Sequence, residues 1–372
     1  MNRSLTAALL ISCSDPKSSS EDTTASTSDF CEAIAPDADS STSFYESNPT
    51  YDDSSTVGWT TGSPESNALE SALESVANDL AERPIMWSFL VVRSDAIIFE
   101  RYFNGATADD SNNVHSASKS ILSTVTGIAI DRGDLSGLDQ PLSELLPDHT
   151  DGIDADKAAI NVGQLLTMSA GFEWTEDQSE YRLEDQEDWV RAILDLPLED
   201  TPGESFNYST AQSHLLSAAL TEATGQSTCD YAHTHLLEPL GITAEHWGRD
   251  PQGYFSGGYN LYLTPRELAR FGQLYLQGGV YEGDQLVPKA WTEAAVDPQI
   301  NAGWGYSYGY LWWLWEPADE PIAIAWGYAG QLVYVIPDLD AVVVFTTNTR
   351  DYDIEFDAAD LLEDTILPAL RL

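Results

Sequence analysis

Ser116 and Lys119 lie three residues apart at the start of the stretch Val114–Ala129, VHSASKSILSTVTGIA. Polar Ser111, Asn112 and Asn113 precede the pair, and Ile121, Leu122, Val125, Ile128 and Ala129 follow at helical spacing. On a helix starting near Ser116, positions i and i+3 share a face, which sets an ammonium beside a hydroxyl. A serine hydroxyl is a weak nucleophile until an adjacent base takes its proton. Desolvated, a lysine becomes that base; charged, it stabilises negative oxygen nearby. The alternative is a serine helix cap with a lysine one turn later. The spacing alone does not choose, because Ser14-Asp-Pro-Lys17 repeats it in polar sequence with a proline inside.

Two further groups suit the same chemistry. In Pro202-Gly203-Glu204-Ser205-Phe206-Asn207-Tyr208-Ser209-Thr210, a Pro-Gly turn presents Tyr208 just before the apolar run SHLLSAAL. A phenol near a lysine can serve as general base, or Tyr208 is a packed aromatic. In Trp326-Gly327-Tyr328-Ala329-Gly330-Gln331, small residues open a strand, where exposed N–H groups suit an oxyanion. A bulge or tight turn is the plainer reading. The pair His233 and His235 has no third ligand placed by sequence, so no metal site is expected, nor any cofactor. His115 should leave the helix at a different angle from Ser116. Trp304, Tyr306, Tyr308, Tyr310, Trp312, Trp313 and Trp315 read as core, with alternate members free to line an acyl pocket. Glu173–Glu187 reads as a solvated acidic loop overhanging the cleft.

The elements that must carry these groups follow from periodicity. Ser63–Ala81 places Leu69, Leu73, Val76 and Leu80 on one helical face. Trp87–Val92 and Ala96–Tyr102 form two β-rich runs around the turn Arg93-Ser94-Asp95. Residues 130–300 read as mainly helical. Strand-like runs return at Tyr308–Trp315, Ile322–Ala325, Leu332–Ile336 and Ala341–Thr347, the last two joined by Pro337–Asp340. A final helix over Glu355–Leu367 is expected to end at Pro368. The expected fold is therefore α/β of the α+β type. One antiparallel sheet is built from both chain ends and flanked by terminal helices, with a helical lobe inserted at about 125–300. The active site should lie in the cleft between lobes.

Composition narrows the partners. The 372 residues include 61 acidic and 16 basic ones, for a net charge of −45. That field excludes nucleic acid and anionic membrane surfaces as partners. It also fits an acidic shell for work in high salt, where screening relieves self-repulsion. Only Lys17, Lys119, Lys157 and Lys289 are lysines, so one at an apolar helix start is not a casual surface choice. Leu10-Ile11-Ser12-Cys13 is similar to a lipoprotein lipobox. It points to a signal over residues 1–13, lipidation at Cys13 and an exported, membrane-anchored protein whose membrane contact is that anchor; the alternatives are a simple secretory signal or an ordinary frayed N-terminus. Residues 14–62 read as an acidic, disordered tether before a catalytic body at 63–372. Cys31 and Cys229 either pair or stay as free thiols.

Taken in order, Ser-x-x-Lys, Tyr208-x-x and the late Gly-rich motif resemble the serine β-lactamase/penicillin-binding superfamily. The likeness is strongest to the branch with class C β-lactamases, D-alanyl-D-alanine carboxypeptidases, family VIII esterases and nylon-oligomer (6-aminohexanoate-dimer) hydrolases. It spans roughly residues 65–370, through phrases such as GIAIDRGDLSGLDQPLSELLP, LLTMSAGFEW, TPGESFNYST and GYAGQLVYVIPDLDAVVVFTTN. The resemblance implies Ser116 as nucleophile, Lys119 as proton acceptor or relay, and Tyr208 as leaving-group acid and helper in deacylation. It implies the backbone N–H groups of Ser116 and Gln331 as oxyanion hole, and Thr210, Tyr328, Ala329 and Gly330 as substrate contacts. Whether Lys119 or Tyr208 is the base stays open, since the two would titrate as one unit. Two positions depart from the family pattern. Thr210 replaces the asparagine of Tyr-x-Asn, and Tyr328 replaces the lysine of Lys-Thr-Gly that pairs with a substrate carboxylate. The expected function is thus a serine hydrolase for a small neutral or cationic ester or amide, acting through an acyl-enzyme. The alternatives are a D,D-peptidase or β-lactamase, and a non-catalytic penicillin-binding-like module.

Overall fold

The computed structural model describes residues 31–32, 58–176, 179, 183–348 and 356–372. The expected signal, lipidation at Cys13 and most of the tether lie outside the described residues. The body is organised on a nine-stranded sheet. In chain order its strands are β1 (Thr60–Thr61), β2 (Met86–Arg93), β3 (Ala96–Tyr102), β4 (Ile300–Gly303), β5 (Tyr306–Tyr308), β6 (Trp313–Trp315), β7 (Ile322–Gly327), β8 (Gln331–Ile336) and β9 (Ala341–Thr347). The spatial order β1-β3-β2-β9-β8-β7-β6-β5-β4 joins the two chain ends through β2 and β9, paired antiparallel with Val91 opposite Val343. Every pairing is antiparallel except that of β1 with β3.

Side chains alternate across this sheet, which sorts its apolar residues into two cores. Phe89, Val91, Leu332, Tyr334, Val343 and Phe345 face helix α1 (Asn67–Ala81) and the C-terminal helix. Leu90, Val92, Val333, Val335, Val342 and Val344 face the helical lobe. Burial of such side chains stabilises by about 1.5–3 kcal/mol each, and both faces of the central strands collect it. The lobe holds α2 (Ser118–Arg132), α3 (Thr210–Thr224) and α4 (Pro265–Leu276) with several shorter turns. Helix α4 begins with Pro265 and a reciprocal cap in which Thr264 and Glu267 bond each other's backbone N–H. Gly272 lets α4 lie on β9, because a Cβ there would fall 2.6 Å from Val342 Cγ1.

Three expectations change and one open alternative is settled. The run Tyr308–Trp315 is two strands, because the chain turns through Gly309–Trp312 with Leu311 at a φ of 59°. The C-terminal helix runs on through Pro368 as Ala359–Leu361, a wide π turn at Leu362–Ile366, and Leu367–Leu370. The wide turn sits where proline's missing N–H would otherwise leave an α-helical carbonyl unpaired. Third, Cys31 and Cys229 form a disulfide across a sequence separation of 198, and Cys31 is 2% exposed. Last, the folded body begins before residue 63. Trp59 stacks under Arg270, whose guanidinium lies 4.4 Å from its ring centroid, and β1 lies at 60–61. Arg249 also pairs with Glu32 at 3.0 Å. Among the described residues, no helix is long and apolar enough to cross a membrane.

Closing so long a loop restricts the unfolded chain strongly. Cys229→Ala is expected to lower stability by about 2–5 kcal/mol while leaving activity in place, read as the urea midpoint with and without reductant. An unchanged midpoint would show that the bond adds nothing to the fold.

Candidate active site

The segment that carries Ser116 is a strained turn held from both sides. His115 has a φ of 46°, in the left-handed region that a side chain rarely adopts. Its N–H donates to Asn113 Oδ1 at 2.9 Å, the same oxygen that accepts from Asn260 N at 3.0 Å. The Asn113 amide returns a bond to Asn260 Oδ1 at 3.0 Å, and Val114 N donates to Leu261 O at 2.8 Å. A short 3-10 turn, His115–Ala117, then feeds α2. From Ser111 to Ala129, Ser116 alone is not buried. The fold therefore offers one hydroxyl of that segment to solvent.

Lys119, one turn on, is 1% exposed. Its ammonium donates to Ser116 Oγ at 2.9 Å, Thr210 Oγ1 at 2.9 Å and Gly258 O at 3.0 Å. It lies 5.0 Å from the centroid of the Tyr208 ring, within the range of a cation–π contact. The serine, lysine and tyrosine picked out by sequence thus meet around one buried nitrogen, and Thr210 joins them. Tyr208 is half-buried, with Trp313 at 5.4 Å and Tyr308 at 6.3 Å between ring centroids.

The Gly-rich motif stands against the turn that carries Ser116. Gly327 ends β7 and pairs with Gln331, the first residue of β8. A Cβ on Gly327 would fall 2.1 Å from Val114 O and 3.2 Å from Ala117 N, so only glycine permits this approach. Tyr328, Ala329 and Gly330 form the turn between, with Ala329 at a φ of 59° and Gly330 at 102°. Gln331 is fully buried, and its amide donates to Thr347 Oγ1 at 2.7 Å and accepts from Asn112 Nδ2 at 3.1 Å. Those bonds fix the backbone of Gln331 beside the segment that carries Ser116.

Three contributors were not visible in the sequence. Glu176 belongs to the stretch read as a solvated loop, yet its carboxylate accepts from Thr210 N at 2.8 Å, from Trp174 Nε1 at 2.6 Å and from the Thr210 hydroxyl. It sits 3.9 Å from Lys119 Nζ. It also caps the N-terminus of α3, where a negative charge is favoured. The second is the carbonyl of Gly258, in the phrase GGYNLYLT. The third is Asn260, two residues further on.

His115 packs edge-on to Tyr328 at 5.6 Å, and its Nε2 is buried with no hydrogen-bond partner among the described residues. Burial, with the Lys119 charge adding to it, lowers its pKa to about 3. Unfolded, the imidazole takes a proton below about pH 6.5; folded, it does not until about pH 3. The unfolded state binds more protons in that window, so stability falls as pH drops through it, by up to about 1.4 kcal/mol per pH unit. His115→Asn is expected to flatten this dependence between pH 6 and 4, measured by urea unfolding. Identical slopes in both proteins would refute it. The other histidines singled out, His233 and His235, lie in the wide turn His233–Leu237, with His235 against Tyr231 at 4.5 Å. Among the described residues, no group of three or more His, Cys, Asp or Glu could hold a metal ion.

The chain is 27% identical over 317 residues to 6-aminohexanoate-dimer hydrolase of Paenarthrobacter ureafaciens, covering 77% of this chain and 76% of that one. Among solved structures it is similar to EstCE1, a hydrolase with promiscuous acyltransferase activity. That match has a TM-score of 0.66 at 18% identity, over 82% of this chain and 98% of the other. A penicillin-binding protein homologue from Caulobacter crescentus matches with a TM-score of 0.65 at 16% identity, over 83% and 99%. Residues 79–365 match the Beta-lactamase family, and the chain accordingly belongs to that family and is a hydrolase.

Proposed function

We propose that the chain hydrolyses a small carboxylic ester or amide through an acyl-enzyme on Ser116. The observation that carries this reading is the buried Lys119 ammonium, 2.9 Å from Ser116 Oγ and 5.0 Å from the Tyr208 ring. In this account Ser116 Oγ attacks the acyl carbon as its proton passes to the Lys119–Tyr208 unit. The backbone N–H groups of Ser116 and Gln331 hold the oxyanion. Tyr208 protonates the departing alcohol or amine, then helps a water cleave the acyl-enzyme. Export fits the Cys31–Cys229 bond, since disulfides persist in oxidising compartments.

The surroundings favour neutral or cationic substrates over carboxylates. Tyr328 stands where a carboxylate-binding lysine would, and the net charge of −45 repels anions. Beside Tyr208 runs a wall of half-buried rings: Trp313, with Trp326 at 5.6 Å and Tyr306 at 6.0 Å, and Phe206 at 5.7 Å. Such rings take apolar acyl chains by area and cations by their faces. Thr210 bonds Lys119, while Ala329 packs in the core on the α1 face of the sheet and Gly330 abuts Phe356.

A substrate panel at low and high salt tests the reading. Short-chain nitrophenyl esters and linear or cyclic oligoamides should turn over, and nitrocefin should turn over far more slowly. Rapid nitrocefin hydrolysis with inert esters and amides would replace this reading with a β-lactamase. Turnover of none of them would favour a binding module.

A further inference from the structure

We propose that Thr210 and Glu176 extend the serine–lysine pair into a proton relay that lets Lys119 alternate between ammonium and amine. The proposal rests on the hydrolase reading above and adds to it a route for the proton. The contacts are continuous. Lys119 Nζ donates to Ser116 Oγ on one side and to Thr210 Oγ1 on the other, each at 2.9 Å, and Thr210 Oγ1 donates to Glu176 Oε1. Glu176 is held for this task by Thr210 N and the Trp174 indole, both on its other oxygen.

The environment changes along the chain of bonds in a direction that suits a relay. Lys119 and Thr210 are each 1% exposed, while the Glu176 side chain is 25% exposed. The proton therefore has a dry path from the lysine and a terminal carboxylate in touch with water. The residue at 210 is decisive. A hydroxyl gives and accepts a proton at one atom, whereas a side-chain amide accepts at oxygen and donates at nitrogen. The Thr210 side chain thus joins two groups that an asparagine would only bridge.

The step balances without any further reactant. Lys119 passes one ammonium proton to Thr210 Oγ1 as Thr210 passes its hydroxyl proton to Glu176 Oε1. Threonine is unchanged, the lysine is a neutral amine and the carboxylate is a carboxylic acid. A turn about Cε–Nζ aims the amine lone pair at Ser116, and it takes the Oγ proton as Oγ bonds to the acyl carbon. The carbonyl π pair moves to oxygen. When the bond to the leaving group breaks, that group takes a proton from the Lys119–Tyr208 unit. The relay then runs backwards and restores ammonium and carboxylate. The net transfer is from the serine to the leaving group. Thr210 and Glu176 act only through Lys119 and are positioning residues in that sense.

The test compares acylation rates, read as the pre-steady-state burst with a nitrophenyl ester, in four variants. Thr210→Val keeps the shape and removes the hydroxyl; it is expected to slow acylation by about 10²-fold with little change in KM. Thr210→Ser, which keeps the hydroxyl, should stay within a few-fold of wild type. Thr210→Asn, the family's usual residue, should be as slow as the valine variant. Glu176→Gln should be slow too, and the double variant Thr210→Val/Glu176→Gln no slower than either single one. A serine variant as slow as valine would overturn the relay and assign Thr210 a packing role. Valine or asparagine variants at the wild-type rate would overturn it as well. In all those cases wild-type turnover keeps the hydrolase reading intact; a wild-type protein with no burst and no turnover would remove both.

Discussion

Lys119→Ala is expected to lower kcat/KM for an ester substrate by about 10²–10⁴-fold, the range for loss of a positioned acid–base group. The fold should persist. The lysine is fully enclosed, and its partners include Ser116 one turn back and, from other elements, the Thr210 hydroxyl and the Gly258 carbonyl, all small groups. Truncation leaves a small polar void that water can fill, and Glu176 keeps its bonds to Thr210 N and Trp174. Lys119→Met, closer in volume, separates a packing defect from lost chemistry. Both variants should show native circular dichroism with the same loss of turnover. Near-wild-type turnover in either would make Lys119 a structural residue and leave Tyr208 as the base.

Gly327→Ala should do comparable damage by another route. The φ at Gly327 is −110°, which alanine adopts freely, so the effect is steric alone. The added Cβ would meet Val114 O at 2.1 Å, Gln331 Cβ at 2.9 Å and Ala117 N at 3.2 Å. Two of these are backbone atoms of the turn that carries Ser116, where Ala117 N already donates to Val114 O at 3.1 Å. The strand end must therefore retreat from the turn. A displacement of about 1 Å in such a site costs about 10²-fold in rate, and overpacking adds about 1–3 kcal/mol of destabilisation. The readouts are kcat and the urea midpoint, with Gly58→Ala as control, since a Cβ there meets none of the described residues within 4 Å. Wild-type kcat in Gly327→Ala would show that the late strand does not set the position of Ser116.

The central strands were legible because their signals were redundant. Ala341–Thr347 has an unbroken β-branched and aromatic run behind a Pro-Asp turn, and the strand takes those bounds. The aromatic run at 308–315 carried as much β propensity but hid a turn, because no glycine marks the left-handed residue, Leu311. Pro368 misled for a related reason: a proline forbids an ordinary helical turn, and the chain uses a wide one instead.

At the site, Ser116, Lys119 and Tyr208 were found through spacing and order, since each opens or precedes a helix. Glu176 was not, because Glu173, Asp177, Glu180 and Glu184 surround it and no local pattern singles out one carboxylate. Its role depends on Thr210, 34 residues on, and that is a fact of tertiary packing. The Cys31–Cys229 bond was one of two open readings, and the sequence did not choose it because a cysteine in polar sequence gives no sign of being buried at 2% exposure.

The account turns on a single hydroxyl becoming acylated. Incubation with a fluorophosphonate, followed by digestion and mass spectrometry, measures that directly. One adduct per chain on the peptide carrying Ser116, absent in Ser116→Ala, is the predicted result. An adduct on another serine, or a folded wild-type protein that takes up none, would contradict it.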